Sequence, residues 1–553
     1  MPELWALFSA GLILWFGYLY VRVKRFLHIL QLEEYQTREY ERWLRSNVSK
    51  YIRARHETAV VFIGGLAVLV AAGVGESTGV FVWLVITLGL LLEPGTRRQA
   101  KKPLVLTARA RRILAAALAV TVALTTLKVG LGLLAGQREA IAGGIIAVTL
   151  LTLFAGHVVL LANLLLWPIE ERSRRKFQRM AEQKLRERQP KIIAVTGSAG
   201  KTTTKELIAH MLSARYRVLR TPSSFNTPMG ISRTANDSLT DQEYFVVEMG
   251  AYTRGEIARL CKLVGGTDIS VITTVNAQHL ERFGSLEKTA EAKFEIVEGL
   301  KPGGTAVLNF DIPAIREHSA RLNPTPEVVG NARIHLLTFG IESEDVRLRA
   351  TAVREQEGGI EVDVAVDGET ATVRIPLLGR HNAGNVLAAI GVGLTCGLDL
   401  PYMTAALRTA RPPEHRLQPL TLPTGGIYLD DGYNGNPQGI IGALEVLGAY
   451  APKRRIVITP GLIEMGKARS EYHEAIGRAA AKNVDVAFLV GPKQTADIRR
   501  GMLAAGYPEA QVHTVRSLDE ARDAVTAMGG WDAGSVVLVA NDLPDQFDEY
   551  LVI

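Results

Sequence analysis

Five stretches in the N-terminal third of the chain are almost free of charge: residues 4–21, 59–75, 79–92, 113–135 and 140–167. No other feature constrains folding as much. A helix needs roughly 20 apolar residues to cross about 30 Å of hydrocarbon. The first, fourth and fifth stretches meet that length alone. Segments 59–75 and 79–92 are shorter; they read as a tight helical hairpin closed by GESTG, or as one interrupted, re-entrant element. No small-residue cleavage site follows the first stretch, and the basic RVKRF comes after it, the order expected of a retained anchor rather than a removed signal.

Charge then predicts orientation. Arg22, Lys24, Arg25, Arg38, Arg42, Arg45, Lys50, Arg53 and Arg55 lie between the first and second stretches. Arg97, Arg98, Lys101, Lys102, Arg109, Arg111 and Arg112 lie between the third and fourth, while the other two loops carry only Arg138. Basic loops face the cytoplasm, so residues 1–170 read as a helical domain of five spans, multi-pass in the inner (cytoplasmic) membrane, with the N-terminus outside and everything after Trp167 in the cytoplasm. ERSRRKFQRM continues as a basic juxtamembrane linker, residues 171–189, suited to anionic head groups. These clusters account for the net charge of +7 without a nucleic-acid partner. Lys128 and His157 are polar groups inside spans. Such residues mark a pathway or substrate contact unless Lys128 snorkels and His157 forms an interhelical hydrogen bond, and the second pair of readings is favoured. The only two cysteines, Cys261 and Cys396, lack His or Cys neighbours at metal-ligand spacing and read as small buried hydrophobes in a reducing compartment.

The remaining two-thirds has a different grain. At 553 residues the chain is long enough for three or four domains, and strand-length apolar runs here alternate with helical patterns. KIIAV is one such run, KELIAHML has apolar positions at helical spacing, and TGSAGKT lies between them. The backbone N–H groups of Gly197, Ser198, Ala199, Gly200, Lys201, Thr202 and Thr203 can then surround an anion at a helix N-terminus, with Lys201 adding a full charge against a β/γ-phosphate and Thr202 a hydroxyl suited to Mg²⁺. The usual G-x-x-x-x-G-K-[ST] pattern is not met, because Val195 stands where its first glycine would be. EYFVVEMGA places Glu248 at the end of a strand, on the edge where open α/β sheets hold ligands. VITTVNAQHL repeats the arrangement with His279 as a candidate ligand group. RPPEHRLQPL reads as a hinge, and the strand signals RRIVITP, VDVAFLVG and SVVLVAN predict a further parallel α/β domain.

Seven motifs in order, TGSAGKTTTKE, SSFNTPMGI, VVEMGAYTRGEI, NAQHLERFGS, AEAKFEI, GRHNAGN and DDGYNGNP, resemble the Mur ligase family in its MurF type. The resemblance runs from about residue 190 to the C-terminus. It implies a P-loop central ATP-binding domain over 190–412 and a Rossmann-like ligase domain over 413–553. It also implies ATP-dependent amide-bond formation through an acyl phosphate. Lys201, Lys293, His279 and Glu248 become the catalytic set. Thr202, Glu248, His279 and a carbamylated Lys293 become the holders of two Mg²⁺ ions. Asn382 and Asn385 match contacts to the adenine, Arg416 a contact to the phosphates, and Asp431, Tyr433 and Asn434 contacts to the nucleotide.

Members of this type begin with a domain for a uridine nucleotide, whereas here apolar stretches occupy that place; a lipid-linked envelope precursor, held at the bilayer, is the expected carboxylate substrate. TPGLIEMGK stands where a G-D-M-type turn is usual, and VANDLPDQFDEY where a basic K-G-S-R-type segment is usual. Both lie in the domain that receives the amine, an amino acid or a dipeptide such as D-alanyl-D-alanine. The alternatives are a polymer ligase resembling poly-γ-glutamate synthetase and an ATP-binding membrane scaffold without ligase activity.

Overall fold

The computed structural model describes residues 2–48, 63, 67, 70, 72–73, 76–92, 103–276, 283–322, 328–329, 332–356, 358–433, 435–463, 465 and 468–542. It divides into two compact units, one formed by the chain up to Ser173 and one by Arg174–Asp542.

The first unit is helical: α1 Pro2–Leu32, α2 Thr37–Ser46, α3 Glu76–Leu92, α4 Ala108–Leu133, α5 Gln137–Leu153 and α6 Ala155–Arg188, which continues into the second unit. One face of α1, carrying Phe8, Trp15, Leu19, Val23 and Phe26, is buried with Tyr40 and Trp43 of α2 and Trp83 of α3. The outward faces are apolar as well. On α4, Leu127 and Leu131 are more than half exposed, as are Leu165 and Trp167 on α6. A surface of that kind is costly in water and ordinary in lipid. By length and composition α1 and α4 can each cross a membrane.

The expected fifth span, 140–167, is instead broken: α5 and α6 meet at Phe154 with an 80° bend. Gly156, just past the bend, is closely packed: a Cβ there would stand 2.7 Å from Leu44 and 2.9 Å from Phe26. The Tyr40 hydroxyl also donates to the Gly156 carbonyl at 3.1 Å. Of the expected hairpin, α3 has 17 residues, and most of 59–75 lies outside the described residues. Lys128 is exposed along α4. His157 is exposed too, its ring edge-on to Phe154 at 5.5 Å, and among the described residues its side chain makes no interhelical hydrogen bond of the kind expected. The basic linker expected over 171–189 is helix as far as Arg188.

The second unit holds two mixed sheets. The first contains β1 Lys191–Thr196, β2 Val218–Arg220, β3 Tyr244–Glu248, β4 Thr267–Ile272, β5 Leu300–Asn309, β8 His335–Gly340, β9 Leu348–Gln356, β10 Gly359–Val366 and β11 Glu369–Ile375. A two-residue pair, β6 Val328–Val329 and β7 Ala332–Arg333, stands apart. The strand order is β11-β10-β9-β8-β5-β4-β1-β3-β2; the strands from β9 to β2 run parallel, and β10 and β11 turn antiparallel. β1, β3 and β4 are apolar without alternation because helices cover both faces of the sheet. Those helices are α7 Lys201–Ser213, α8 Pro228–Ser238, α9 Glu256–Leu263, α10 Leu286–Glu298, α11 Pro313–Leu322, α12 Asn382–Thr395 and α13 Leu400–Leu407. On the β9–β11 meander Arg354 pairs with Glu361 and Asp363, both at 2.6 Å, and Arg374 pairs with Glu361 at 2.7 Å. Arg354, then Arg374, holds the Glu361 carboxyl below its ordinary range.

After a hinge in which His415 and Leu417 take left-handed backbone conformations comes the second sheet. Its strands are β12 Gln418–Thr421, β13 Ile427–Asp431, β14 Arg454–Thr459, β15 Val486–Val490, β16 Val512–Val515 and β17 Ser535–Ala540, in the order β12-β13-β17-β14-β15-β16. All pairs are parallel except the edge pair β12–β13. Helices α14 Pro437–Gly448, α15 Arg469–Asn483, α16 Ala496–Ala504 and α17 Leu518–Ala527 accompany it.

α15 and α16 meet backbone to backbone. A Cβ at Gly477 would lie 2.2 Å from the Ile498 carbonyl oxygen, and one at Gly501 2.4 Å from that of Glu474. Alanine gains about 1 kcal/mol over glycine in helix propensity, but overpacking costs about 1–3 kcal/mol, and backbone atoms cannot swing aside. Gly477→Ala is therefore expected to lower stability by ~1–2 kcal/mol net, measured as an earlier midpoint in urea unfolding; equal or greater stability would show that the helices can separate freely.

Candidate active site

The site begins where β1 ends. Gly200 takes φ +79° at the start of α7, a left-handed conformation that suits glycine. A Cβ on Gly197 would fall 2.0 Å from the Thr273 hydroxyl. The loop is held open by the neighbouring strand end. Ser198 N–H donates to the Thr274 carbonyl at 2.8 Å, Ala199 N–H to the Thr274 hydroxyl at 2.9 Å, and the Thr273 hydroxyl to the Ala199 carbonyl at 2.5 Å. The first-turn N–H groups of α7, including Lys201, Thr202 and Thr203, face outward as at any helix start and favour an anion. Lys201 Nζ donates to the loop's own carbonyls, Gly197 at 2.8 Å and Ser198 at 3.4 Å.

Glu248 closes β3 beside this loop, and its side chain is 1% exposed. Its Oε2 accepts from the Thr202 hydroxyl at 2.9 Å and its Oε1 from Asn226 Nδ2 at 3.2 Å. Lys205, wholly buried one turn after Lys201, lies 3.5 Å from Oε2. Thr202 and Glu248 thus present adjoining hard oxygen donors of the kind Mg²⁺ takes. Among the described residues no three or more His, Cys, Asp or Glu side chains cluster as a metal cage, so phosphate oxygens and water would supply the other ligands.

Lys293, on α10, shares a cleft with Gly197, Ser198, Lys201, Asn226 and Tyr252. The cleft is small, with a cavity of ≈ 40 Å³, and is partly open to solvent. Lys293 is buried, with its ammonium 5.7 Å from the Phe283 ring centroid, and it has no hydrogen-bond or ion-pair partner among the described residues. Burial, and next the charge of Lys201, push its pKa down to about 7 against the pull of Glu256 and Glu295. An amine so placed fits the chemistry of a carbamate, which needs the neutral form. Lys201 is also lowered, by burial first; Glu248 opposes this and Arg416 adds to it. Arg416 belongs to the hinge before the second sheet, and its charge reaches Lys201 in the phosphate loop.

The other expected contacts divide. Asn382 and Asn385 are buried, and their amides are bonded within the protein. Asn385 Oδ1 accepts from the Thr204 hydroxyl at 3.1 Å, its Nδ2 donates to Asn382 Oδ1 at 2.7 Å, and Asn382 Nδ2 donates to the Leu378 carbonyl at 2.7 Å. A Cβ on Gly200 would lie 2.3 Å from Asn385 Oδ1, so this pair braces the loop from beneath. The Asp431 carboxylate, at the end of β13, accepts from Leu417 N–H at 3.0 Å. Arg416 donates to the Tyr433 carbonyl, and the exposed Tyr433 ring lies 4.6 Å from that of His415. His279 and Asn434 lie outside the described residues. Sequence reasoning assigned nothing to Lys205, Asn226, Thr273 or Thr274. Only the position of the threonines just after the β4 run hinted at a part for them.

Residues 195–393 match the Mur ligase middle domain, and residues 415–541 match the Mur ligase glutamate ligase domain. The chain is 32% identical over 307 residues to the UDP-N-acetylmuramoyl-tripeptide--D-alanyl-D-alanine ligase of Escherichia coli, covering 55% of this chain and 66% of that one. It is 30% identical over 331 residues to the ligase of the same name from Bacillus subtilis, covering 59% and 68%. It therefore spans about two-thirds of the length of these relatives. Two crystal structures share the fold. MurF from Acinetobacter baumannii has a TM-score of 0.58 at 23% identity, over 68% of this chain and 79% of that one. MurF ligase from Thermotoga maritima in complex with ADP has a TM-score of 0.58 at 24% identity, over 68% and 82%. Two contiguous domain matches, the identity to these relatives and the shared architecture lead to one conclusion: the chain belongs to the Mur ligase family, with its likeness to the MurF type.

Proposed function

We propose that this chain is an ATP-dependent amide ligase of the MurF type, held at the cytoplasmic face of a membrane and acting on a cell-envelope precursor. The observation that carries this reading is the meeting of Lys201 and Lys293 in one cleft beside a phosphate loop, with the Thr202–Glu248 pair next to that loop and the charge of Arg416 acting on Lys201. Joining ATP to a carboxylate brings two anions together, so the main catalytic task is neutralising charge. The α7 N-terminus and Lys201 hold the β- and γ-phosphates, Lys201 exchanging the Gly197 and Ser198 carbonyls for phosphate oxygens. Thr202 and Glu248 would hold Mg²⁺, and His279 and a carbamylated Lys293 would serve a second ion; when bound, such ions would supply charge neutralisation on the transferred phosphoryl group. Asn382 and Asn385 act on the adenine side through the loop they brace. Arg416, Asp431, Tyr433 and Asn434 approach the nucleotide from the C-terminal domain, over 413–553.

A carboxylate oxygen of the precursor attacks the γ-phosphorus of ATP, the bond from that phosphorus to the oxygen bridging it to the β-phosphate breaks, and ADP leaves as the acyl phosphate forms. An incoming amine attacks its carbonyl carbon, the C–O bond to phosphate breaks, and inorganic phosphate leaves as the amide forms. The relatives' names point to a muramoyl tripeptide and D-alanyl-D-alanine as the pair joined. The apolar outward faces of α4 and α6 support a lipid-linked form of the first, with the N-terminus outside.

Purified protein with ATP and Mg²⁺ is expected to release phosphate only when both carboxylate and amine are supplied; release with neither would refute the ligase reading. Lys201→Ala should lower kcat roughly 10²–10³-fold, as loss of one preorganised transition-state contact does. Lys293→Ala should abolish amide formation and recover partly with added formate or acetate, an outcome that a purely structural lysine would not give. Because the folded Lys293 pKa is depressed, the neutral amine dominates above about 7 and the ammonium below it. Activity at limiting bicarbonate should therefore rise as pH passes upward through 7, and a profile flat across that range would count against the carbamate. For topology, a reporter fused after Trp167 should remain inside the cell.

A further inference from the structure

α7 carries two lysines a single turn apart, and the ligase reading uses only the first. Lys205 is wholly buried; its ammonium donates to the Ser223 carbonyl and to Glu248 Oε2 at 3.5 Å, and it forms an ion pair with Glu206 Oε1 at 3.4 Å. Glu206 is itself fixed by Arg220 at 2.6 Å. Ser223 has φ +43°, a left-handed backbone uncommon for serine, in the loop that goes on to Asn226. Asn226 returns to the site from that loop, donating to Glu248 Oε1, while its carbonyl accepts from Gly250 N–H at 3.1 Å. One ammonium therefore ties together the phosphate-loop helix, the end of β3 and the 221–227 loop.

We infer that Lys205 is a positioning residue, a built-in cation that shares Glu248 with the divalent ion and reserves that carboxylate for a metal arriving with nucleotide phosphates. The inference rests on the ligase reading for the role of Glu248 as a metal ligand. A carboxylate buried this deeply needs a nearby counter-charge, or folding pays heavily for it. Lys205 supplies that charge before any ligand is present. The same charge opposes a free divalent cation approaching Glu248, and Lys201 and Arg416 add to the opposition. Nucleotide phosphates reverse the balance by bringing several negative charges to the same place. Metal and nucleotide binding are thus strongly linked, and Lys205 sets the strength of the linkage.

The test is Mn²⁺ binding to the full chain in detergent, followed by the electron paramagnetic resonance signal of free Mn²⁺, with and without ADP. Wild-type protein should bind Mn²⁺ weakly alone and at least ~10-fold more tightly with ADP. Lys205→Met should tighten nucleotide-free Mn²⁺ binding roughly 10-fold and shrink the ADP effect, while Lys205→Arg keeps the wild-type pattern. Nucleotide-free binding by Lys205→Met no tighter than wild type would overturn the inference. So would wild-type protein that binds Mn²⁺ equally well with and without ADP, a comparison that stands even if the methionine variant does not fold. Glu248→Gln separates the two readings. If it leaves Mn²⁺ binding with ADP undiminished, the assignment of Glu248 as a ligand fails; if it abolishes that binding while Lys205→Met changes nothing, only the role of Lys205 fails.

Discussion

Burying the carboxylate of Glu248 is the constraint around which the catalytic half of this protein is arranged. Each of its oxygens has to be engaged, and the partners come from two separate pieces of chain: Thr202 and Lys205 from α7, and Asn226 from the loop after β2, where the Thr221 hydroxyl also accepts from the Glu248 N–H at 3.1 Å. None of these contacts is local in sequence. Their geometry exists only because β1 and β3 are neighbours in the sheet, pairing Val195 with Glu248. The parallel register thus delivers the phosphate loop and the carboxylate to the same edge.

Around that carboxylate the site carries an excess of positive charge. Burial first, and then the charge of Arg416, lower the Lys201 ammonium against the pull of Glu248, and burial followed by the charge of Lys201 lowers Lys293. Such mutual repulsion costs stability without a ligand and is relieved by an anion. Lys201 shows the resting compromise, with its ammonium donating to two carbonyls of the loop it serves. A cleft that is strained in this way favours phosphate over water, so part of the cost of pre-organising it is met during folding.

Legibility in the sequence followed how local each determinant is. KIIAV, the glycine turn and the helix after it sit within 191–213, and they appear as β1, loop and α7. The strands of the C-terminal sheet were equally plain, since RRIVITP and SVVLVAN are buried on both faces. The meander of β9 to β11 was missed because ATAVREQ and ETATVRI interleave charged residues that solvent would suit equally well in a loop. The turn at Phe154 lies inside TLFAGH, where Thr152, Gly156 and His157 are too slight an interruption of the apolar run to announce a bend, and the Tyr40 contact to Gly156 comes from more than a hundred residues away. Lys205 was the hardest to foresee. In TTTKE it looks like a solvated helix lysine, and only the folding of the 221–227 loop over α7 removes it from water. Asn382 and Asn385 could be singled out, but their place beneath Gly200 depends on how α12 packs.

The ion-pair ladder of Arg354, Glu361, Asp363 and Arg374 lies on β9 to β11, and β11 ends its sheet with one side unpaired. Exposed strand borders invite other chains to add on, and fixed charges are a common deterrent. A neighbouring copy that tried to extend the sheet would have to strip water from interlocked guanidinium and carboxylate groups. Of the ladder only Arg374 stands on β11 itself, and it places a fixed, mostly exposed charge on that border while Glu361 of the next strand holds it in place.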